Sequence, residues 1–185
     1  METTELIRYR RALKRKNYST HTVKSYVNIL DQFMRSLTVP LLEVTRKEIG
    51  AYVDHLLRKR RTPKTITCHL QTIRLFFDYL INEEGRSMVN PVSRIALRLP
   101  KPLPRHLKDD QVRRLFAGIT DLRDQAMFML MLRCGLRVQE VAELTFDAIE
   151  FGRRQIFVFH GKGAKDRVVY MSEDARLALL AYLAE

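Results

Sequence analysis

Two short segments in the second half of the sequence combine residue types suited to acting on a phosphate. The first, 134–144, places Arg137 after a glycine and Glu140 three residues later. A guanidinium binds two phosphate oxygens at once, and a carboxylate one helical turn away holds it in position. An arginine at a helix start meets the positive end of the helix dipole, so we expect Arg137 to have an anion as its partner. A surface ion pair with Glu140 is the simpler interpretation of these two residues alone, and it stays open.

The second segment is the tip of a predicted β-hairpin. Residues 155–159 and 167–171 have the composition of strands, and they flank the basic, glycine-rich stretch 161–166. Lys162 stands between two glycines, which have no side chains, so the lysine side chain could enter a groove. The stretch is not a phosphate-binding P-loop, because Gly163 follows the lysine where serine or threonine is required. Taken alone, such a tip is usually a solvated turn.

Four amphipathic helices are predicted ahead of these segments. They cover roughly 2–16, then 20–37 after a Ser19 or Thr20 cap, then a helix capped by Thr45 and ending in the basic run 58–61, then a helix from Thr62 onward with Pro63 in its first position. Residues expected to face the core are Leu6, Tyr9, Leu13, Val23, Tyr26, Val27, Leu30, Phe33, Met34, Leu37, Ile49, Tyr52, Val53, Leu56, Leu57, Ile66, Leu70, Ile73, Phe77 and Leu80.

Positive charge is concentrated in the same half of the chain. Of 185 residues with a net charge of +12, residues 1–101 hold 20 Lys and Arg against 9 Asp and Glu, whereas 102–185 hold 13 against 12. One-sided charge is typical of nucleic-acid binding, although a basic surface in water is the alternative. On the fourth helix Lys64, Thr67, Gln71 and Arg74 form one polar face, suited to a groove or a phosphate backbone or simply to solvent. A membrane surface is disfavoured because the chain has no tryptophan.

A proline-rich linker is predicted between the two halves. Four of the six prolines lie in 91–104, so we expect a first domain over 1–88, a linker over 89–104 and a second domain over 105–185. The second domain should contain a helix over 108–118, a helix capped by Asp121, a short amphipathic helix, the hairpin and a last helix capped by Ser172. Residues expected to be buried there are the apolar run 126–132 and Val138, Val141, Ala142 and Leu144.

Several classes of protein and site are disfavoured by composition. Cys68 and Cys134 lack the spacing of a zinc site or a disulfide framework, and no window of 18 apolar residues or secretory signal is present. We therefore expect a cytoplasmic protein, associated with the nucleoid when bound to DNA. We also expect no metal and no cofactor.

The order of the two segments is more specific than either alone. GLRVQEVAEL, over 135–144, is followed by a hairpin bearing HGKGAKDRVVYM, over 160–171, and this pattern resembles the tyrosine recombinases, or phage integrase family. The resemblance covers nearly the whole chain, including Ser19–Thr22 with Tyr26 in the first half and Arg123-Asp124 in the second. It implies a mainly α fold, with an N-terminal four-helix SAM-like core-binding bundle followed by a partial α+β catalytic domain.

The resemblance also implies roles for individual residues. Arg137 would be a catalytic arginine that neutralises the scissile phosphate, with Glu140 supporting it, and Lys162 would protonate the leaving 5′ oxygen. Lys165 and Arg167 would meet backbone phosphates. Further candidates for DNA contact are His21, Lys24, Lys64, Thr67, Gln71 and Arg74. The expected partners are double-stranded DNA and full-length recombinase protomers, with no membrane and no small-molecule substrate.

Other family residues have no counterpart in the sequence. A His-x-x-Arg or Lys-x-x-Arg box, a further His or Trp and the nucleophilic tyrosine are not found after Lys162, and neither Tyr170 nor Tyr182 matches the nucleophile's position. We therefore expect a C-terminally truncated recombinase that is inactive alone. Three interpretations stay open: an incomplete sequence of an enzyme, a non-catalytic protein that occupies recombination sites, and a helical DNA-binding regulator whose motif match is accidental.

Overall fold

The computed structural model describes residues 4–92, 97–98, 100, 103, 106–161 and 165–185, without the side chains of 160, 161 and 165. The chain divides into two compact units, Met1–Pro102 and Leu103–Glu185. Much of the predicted linker, including 93–96, 99, 101–102 and 104–105, lies outside the described residues. In the described part of the chain no helix is both long enough and apolar enough to cross a membrane.

The first unit contains the four predicted helices. They are α1 (Thr4–Arg15), α2 (Thr20–Ser36), α3 (Arg46–Arg58) and α4 (Pro63–Asn82), with a 3₁₀ turn at Leu41–Glu43 that the sequence pattern did not predict. Side-chain oxygens fix the helix starts: Ser19 accepts from the Thr22 amide, Thr45 from the Lys47 amide and Thr62 from the Thr65 amide. These bonds supply partners for amide groups that the first turn of a helix leaves unpaired.

Apolar side chains from all four helices form the first core. Phe33, Ile49, Ile73 and Phe77 are fully buried. The inward faces predicted for α1, α2 and α4 are confirmed, although three of the predicted residues in α2, and Leu37 directly after it, are only partly buried. Leu57 was predicted to face the core, and this was wrong, because its side chain is 52% exposed. It follows buried Leu56 directly, and two adjacent helical positions lie about 100° apart on the helix surface, so one core cannot cover both.

Helices and a small sheet make up the second unit. Its elements are α5 (Asp109–Ala117), α6 (Leu122–Cys134), α7 (Val138–Ala142), β1 (Ile149–Glu150), β2 (Gln155–Gly161), β3 (Lys165–Tyr170) and α8 (Glu173–Leu183), with a 3₁₀ turn at Phe146–Ala148. The predicted caps are confirmed, since the Asp121 and Ser172 side chains accept from the Asp124 and Ala175 amides. The predicted hairpin is confirmed as the antiparallel pair β2–β3, in which Phe157 lies opposite Val168. Strand β1, absent from the sequence expectation, pairs with β2.

The second core is smaller than predicted. Ala126 and Leu130 of α6 are buried together with Ile156, Val158, Met171, Ala175 and Leu179. The expectation that the whole run 126–132 is core was wrong, since Phe128 and Leu132 are 39% and 46% exposed. Val138 and Ala142 were also expected to be buried, but both are exposed, Val138 at 72%. A short amphipathic pattern does not show which of several apolar residues faces the core when only one side of the helix is covered.

Candidate functional site

A carboxylate bonded to two arginines lies at the start of α7. The Glu140 Oε1 accepts from Arg137 Nη1 at 2.7 Å, and its two oxygens accept from Arg167 Nη1 and Nη2, each at 2.7 Å. The Arg137 backbone amide also donates to Glu140 Oε2 at 2.8 Å. We call these three residues the Arg137–Glu140–Arg167 cluster. It ties the start of α7 to strand β3, so its members are held by hydrogen bonds from two elements.

The three side chains of this cluster differ in their exposure to solvent, and Arg137 is the most exposed. The Glu140 side chain is 7% exposed and the Arg167 side chain 32%, whereas that of Arg137 is 56% exposed. The buried carboxylate therefore supports a guanidinium that still faces solvent. Because Arg137 Nη1 is the donor used on Glu140, further N–H groups of the same guanidinium are available to an anion.

Hydrogen bonding keeps the carboxylate ionised. The pKa of Glu140 lies well below its ordinary value, chiefly because Arg167 donates to it, with Arg137 adding a backbone and a side-chain bond. The same bonds raise the pKa of Arg167. Two cations around one anion leave the cluster with a net charge of +1, which favours the approach of a phosphate.

A left-handed glycine places Arg137 at the surface. Helix α6 ends at Cys134, and Gly135 follows with φ +67°, a conformation that costs most other residues about 1–2 kcal/mol. A Cβ at Gly135 would meet no atom within 4 Å, so the requirement is conformational rather than one of space. After this turn Leu136 is buried at 4% exposure, and Arg137 directly precedes α7 as its N-cap residue. The chain reversal thus anchors one residue in the core and directs the next outward.

The hairpin tip lies mostly outside the described residues. Lys162 is among 162–164, of which the structure describes nothing, and of Lys165 it describes only the backbone, opposite Gly161. Arg167 is paired across the sheet with Val158. Its predicted contact with a DNA phosphate stays a prediction. The sequence did not indicate that Arg167 donates two hydrogen bonds to Glu140, because the two residues are 27 positions apart and no local spacing relates them.

The predicted polar face of α4 is present in the first unit. Lys64, Gln71 and Arg74 are exposed, while Thr67 is half-buried and donates to the Pro63 carbonyl at 3.0 Å. Thr67, Gln71 and Arg74 line a groove of about 290 Å³ together with apolar residues that include Val92 and Leu97. His21 and Lys24 are exposed on α2, on a different helix from this face.

Asn90 is a residue of this region that the sequence interpretation missed. Its Nδ2 donates to the Arg74 carbonyl at 2.9 Å and to Asp78 Oδ1 at 2.7 Å, and its Oδ1 accepts from the Val92 amide. These bonds fix the segment after α4 against the helix that carries the polar face. Its only sequence signal is the Asn-Pro pair, which favours a turn.

None of the described residues forms a group of three or more His, Cys, Asp and Glu side chains that could hold a metal ion. The clustered charges of the second unit are arginines and a glutamate instead.

Comparison with known protein families shows to which family the chain belongs. The model of the phage integrase N-terminal SAM-like domain matches residues 6–86, and that of the phage integrase family matches residues 105–185. The two matches follow each other in the order expected from the sequence. The chain belongs to the tyrosine recombinase, or phage integrase, family.

Curated recombinases are similar along nearly the whole of this chain. Tyrosine recombinase XerC of Thermodesulfovibrio yellowstonii is 30% identical, over 91% of this chain and 58% of its own length. XerC of Oceanobacillus iheyensis is 33% identical, over 92% and 58%. XerC of Shewanella sp. is 32% identical, over 99% and 63%. The chain therefore spans about three fifths of the length of these relatives.

Solved structures share the fold of this recombinase chain at low sequence identity. A lambda integrase dimer bound to a COC′ core site matches with a TM-score of 0.78 and 19% identity, over 98% of this chain and 65% of that one. The Tn1549 transposon integrase in complex with transposon right end DNA matches with a TM-score of 0.74 and 17% identity, over 98% and 65%. Together with the SAM-like match, they confirm the expected fold class.

Proposed function

We propose that this tyrosine recombinase chain binds double-stranded DNA and presents Arg137 to the phosphodiester that is cut and rejoined. The observation that carries the proposal is the Arg137–Glu140–Arg167 cluster, in which a buried carboxylate holds an exposed guanidinium. The relatives support it, since they are tyrosine recombinases, and so do two structural neighbours, one bound to a core site and one in complex with transposon end DNA.

The proposed reaction is a transesterification at phosphorus. A tyrosine oxygen attacks, a 3′-phosphotyrosine bond forms, and the bond to the 5′ oxygen breaks; reversal with a new 5′ hydroxyl rejoins the strands. Arg137 neutralises the non-bridging oxygens, whose charge increases in the crowded transition state. Lys162 gives its proton to the 5′ oxygen as that oxygen leaves. Glu140 keeps the Arg137 guanidinium in the orientation that this contact requires.

Contacts of the first unit with DNA are assigned to two exposed surfaces. One is the polar face of α4, formed by Lys64, Thr67, Gln71 and Arg74, and the other is the start of α2, with His21 and Lys24. In this proposal residues 1–88 form the core-binding domain, 89–104 form the linker, and residues 105–185 belong to the catalytic domain. Lys165 and Arg167 add phosphate contacts from the hairpin.

The nucleophile is assigned to neither tyrosine of the second unit. Tyr170 lies in β3 opposite Gln155, and Tyr182 lies near the end of α8. Tyr170 shares β3 with Arg167 of the cluster, but neither tyrosine matches the position that the family resemblance gives to the nucleophile. We expect the 185-residue chain to bind a nicked duplex without forming a covalent bond. A protein–DNA adduct that survives denaturation would contradict this assignment.

The test of DNA binding uses the 185-residue chain and a labelled duplex of about 30 base pairs. Affinity is measured by fluorescence anisotropy over a series of salt concentrations. Each lost phosphate contact should reduce the slope of log affinity against log salt by about 0.9. Arg137→Ala should show this reduction. Arg133→Ala is the matched control, because Arg133 is 52% exposed and already pairs with Asp174 at 2.9 Å.

Two results would overturn the proposal. One is a wild-type chain that does not bind the duplex at low salt, and the other is an Arg137→Ala slope equal to that of Arg133→Ala. If both variants lost affinity by the same factor, the proposal would also be overturned, because the loss would reflect net charge in general and not a contact made by Arg137.

A further inference from the structure

The link between α3 and α4 carries a group of cations for which the function so far has no use. Arg58, Lys59, Arg60 and Arg61 are all exposed. Within the described part of the chain none of these four side chains forms an ion pair or hydrogen bond. Elsewhere in the first unit, by contrast, Arg8 and Lys16 reach Glu84 and Glu83. We call residues 58–61 the basic link.

Arg60 occupies a backbone position that suits glycine. The amide of Arg60 donates to the Leu57 carbonyl at 2.8 Å and that of Arg61 to the Leu56 carbonyl at 3.0 Å, the pattern that closes a helix through one left-handed residue. That residue is Arg60, with φ +53°. Helix α1 closes in the same way, but with Asn17 at φ +57°, and asparagine tolerates the conformation far better than arginine does.

A second left-handed arginine shows what can offset such a cost. Arg154 has φ +54°, and its side chain pairs with Glu173 at 3.1 Å, so a contact within the chain accounts for an arginine there. Arg60 has no such contact among the described residues. A strained residue without an internal contact points to a partner outside the chain.

The basic link borders a concave surface that is also positive. A groove of about 270 Å³ is lined by Lys59 and Arg61 together with Arg35 and His55, and by the uncharged Gln32 and Ser36 among others. Arg35 lies 3.0 Å from Asp31, so part of its charge is neutralised. Positive groups on a link and around the groove beside it suit a chain of phosphates better than a single anion.

We propose that the basic link binds the phosphodiester backbone of double-stranded DNA and that Arg60 makes one ionic contact within it. This inference rests on the proposed DNA binding, to which it adds a surface outside the helix faces assigned above. The contact is independent of base sequence, since phosphates carry no sequence information.

The test combines duplex binding with thermal stability in three variants of the 185-residue chain. Arg60→Gly removes the side chain and relieves the left-handed strain. Its melting temperature should be no lower than that of the wild type, because strain relief opposes the entropic cost of glycine. Its salt slope should fall by about 0.9, with duplex binding about three- to ten-fold weaker at 50 mM salt. Arg60→Lys keeps the charge and should keep the wild-type slope.

The matched control is Asn17→Gly, which changes the same position of the same motif at the end of α1 without removing a charge. It should bind the duplex with the wild-type slope. A wild-type slope for Arg60→Gly would overturn the inference while leaving the proposed function intact, provided that the wild-type chain binds. Failure of the wild-type chain to bind any duplex would instead overturn the proposed function itself.

Discussion

The two units differ in how completely they bury their apolar side chains. Among the described residues, nine of the ten largest fully buried side chains belong to the first unit, and Ile156 alone belongs to the second. The second unit instead exposes large apolar side chains on several elements. They include Phe128 and Leu132 on α6, Leu177, Leu180 and Leu183 on α8, and Phe159, Val168 and Tyr170 on the hairpin.

The two units therefore derive their stability from different interactions. The first unit has a core of fully buried aromatic and aliphatic residues, in which Phe33, Tyr52 and Phe77 pack edge to face. In the second unit ion pairs link elements around a shallow core: Glu140 joins α7 to β3, and Arg154 joins the turn before β2 to α8. Substitutions should therefore show apolar burial dominating in the first unit and charge dominating around α7.

The largest effect is expected at the centre of the first core. Phe33 is fully buried, so Phe33→Ala should destabilise the first unit by about 3–5 kcal/mol through lost burial and the cavity left behind. Urea unfolding followed by circular dichroism measures this. Phe128→Ala in the second unit is the matched control and should cost far less, because Phe128 is 39% exposed. Equal losses at the two positions would contradict the comparison.

An effect of intermediate size is expected at Glu140. Replacing it with glutamine removes the anion between two arginines, and we expect a loss of about 1.5–3 kcal/mol at pH 7, the range for hydrogen bonds to charged groups. Because the pKa of Glu140 is lower in the folded chain, its contribution is full above the ordinary value of 4.5 and is lost as pH falls below it. Urea unfolding at pH 7 and at pH 4 should therefore show a smaller difference for Glu140→Gln than for the wild type.

Glu143 offers the control for that measurement. It is exposed, lies just after α7 and accepts a bond from the uncharged Gln139. Glu143→Gln should leave both the stability at pH 7 and its fall towards pH 4 nearly unchanged. If the two variants behave alike, the Arg137–Glu140–Arg167 cluster does not stabilise the second unit.

Much of the fold was predictable because its signals are local. Each helix cap accepts a hydrogen bond from an amide two or three residues away, so a short segment of sequence is enough to predict where the helix starts. These caps are Ser19, Thr45, Thr62, Asp121 and Ser172. The first core was predictable for a similar reason, since four helices with one apolar face each leave few ways to pack.

The errors and omissions involve contacts between distant residues. Phe128 and Leu132 lie in an apolar run without a clear polar face, so the sequence does not show which side of α6 is covered. The contact of Glu140 with Arg137 follows from a spacing of three residues. Its contact with Arg167 depends instead on how α7 meets β3, and no pattern within either segment encodes that arrangement.

A smaller effect, with a different dependence on pH, is expected in the first unit. Tyr52 and His69 are both buried, and the tyrosine hydroxyl lies 2.8 Å from His69 Nδ1. Burial raises the pKa of Tyr52 to about 12 and, with the charge of Arg61, lowers that of His69. Tyr52→Phe leaves the ring nitrogen without this partner, and we expect a loss of about 1–2 kcal/mol at pH 7. Tyr18→Phe, at a 39% exposed position, is the control and should change little.

The pH dependence separates the two units. A histidine with a lowered pKa in the folded state stabilises that state fully above its ordinary value of 6.5 and loses this contribution as pH falls below it. The first unit should therefore begin to weaken below pH 6.5, whereas the contribution of Glu140 to the second unit persists until about pH 4.5. Unfolding curves at pH 7, 5.5 and 4 test this order. Loss of stability in the second unit first would contradict it.

The smallest effect is expected on the exposed side of α6. Leu132 is 46% exposed, whereas Leu130, two residues earlier on the same helix, is 2% exposed. Leu132→Gln should change the stability of the second unit by no more than about 0.5 kcal/mol, as is usual for surface positions. Leu130→Gln places an amide in the core, where an unpaired polar group costs about 1–3 kcal/mol in addition to the lost packing. If Leu132→Gln destabilised the unit as strongly as Leu130→Gln, the exposed face of α6 would be covered in solution, and the difference between the two units would be smaller than their buried side chains indicate.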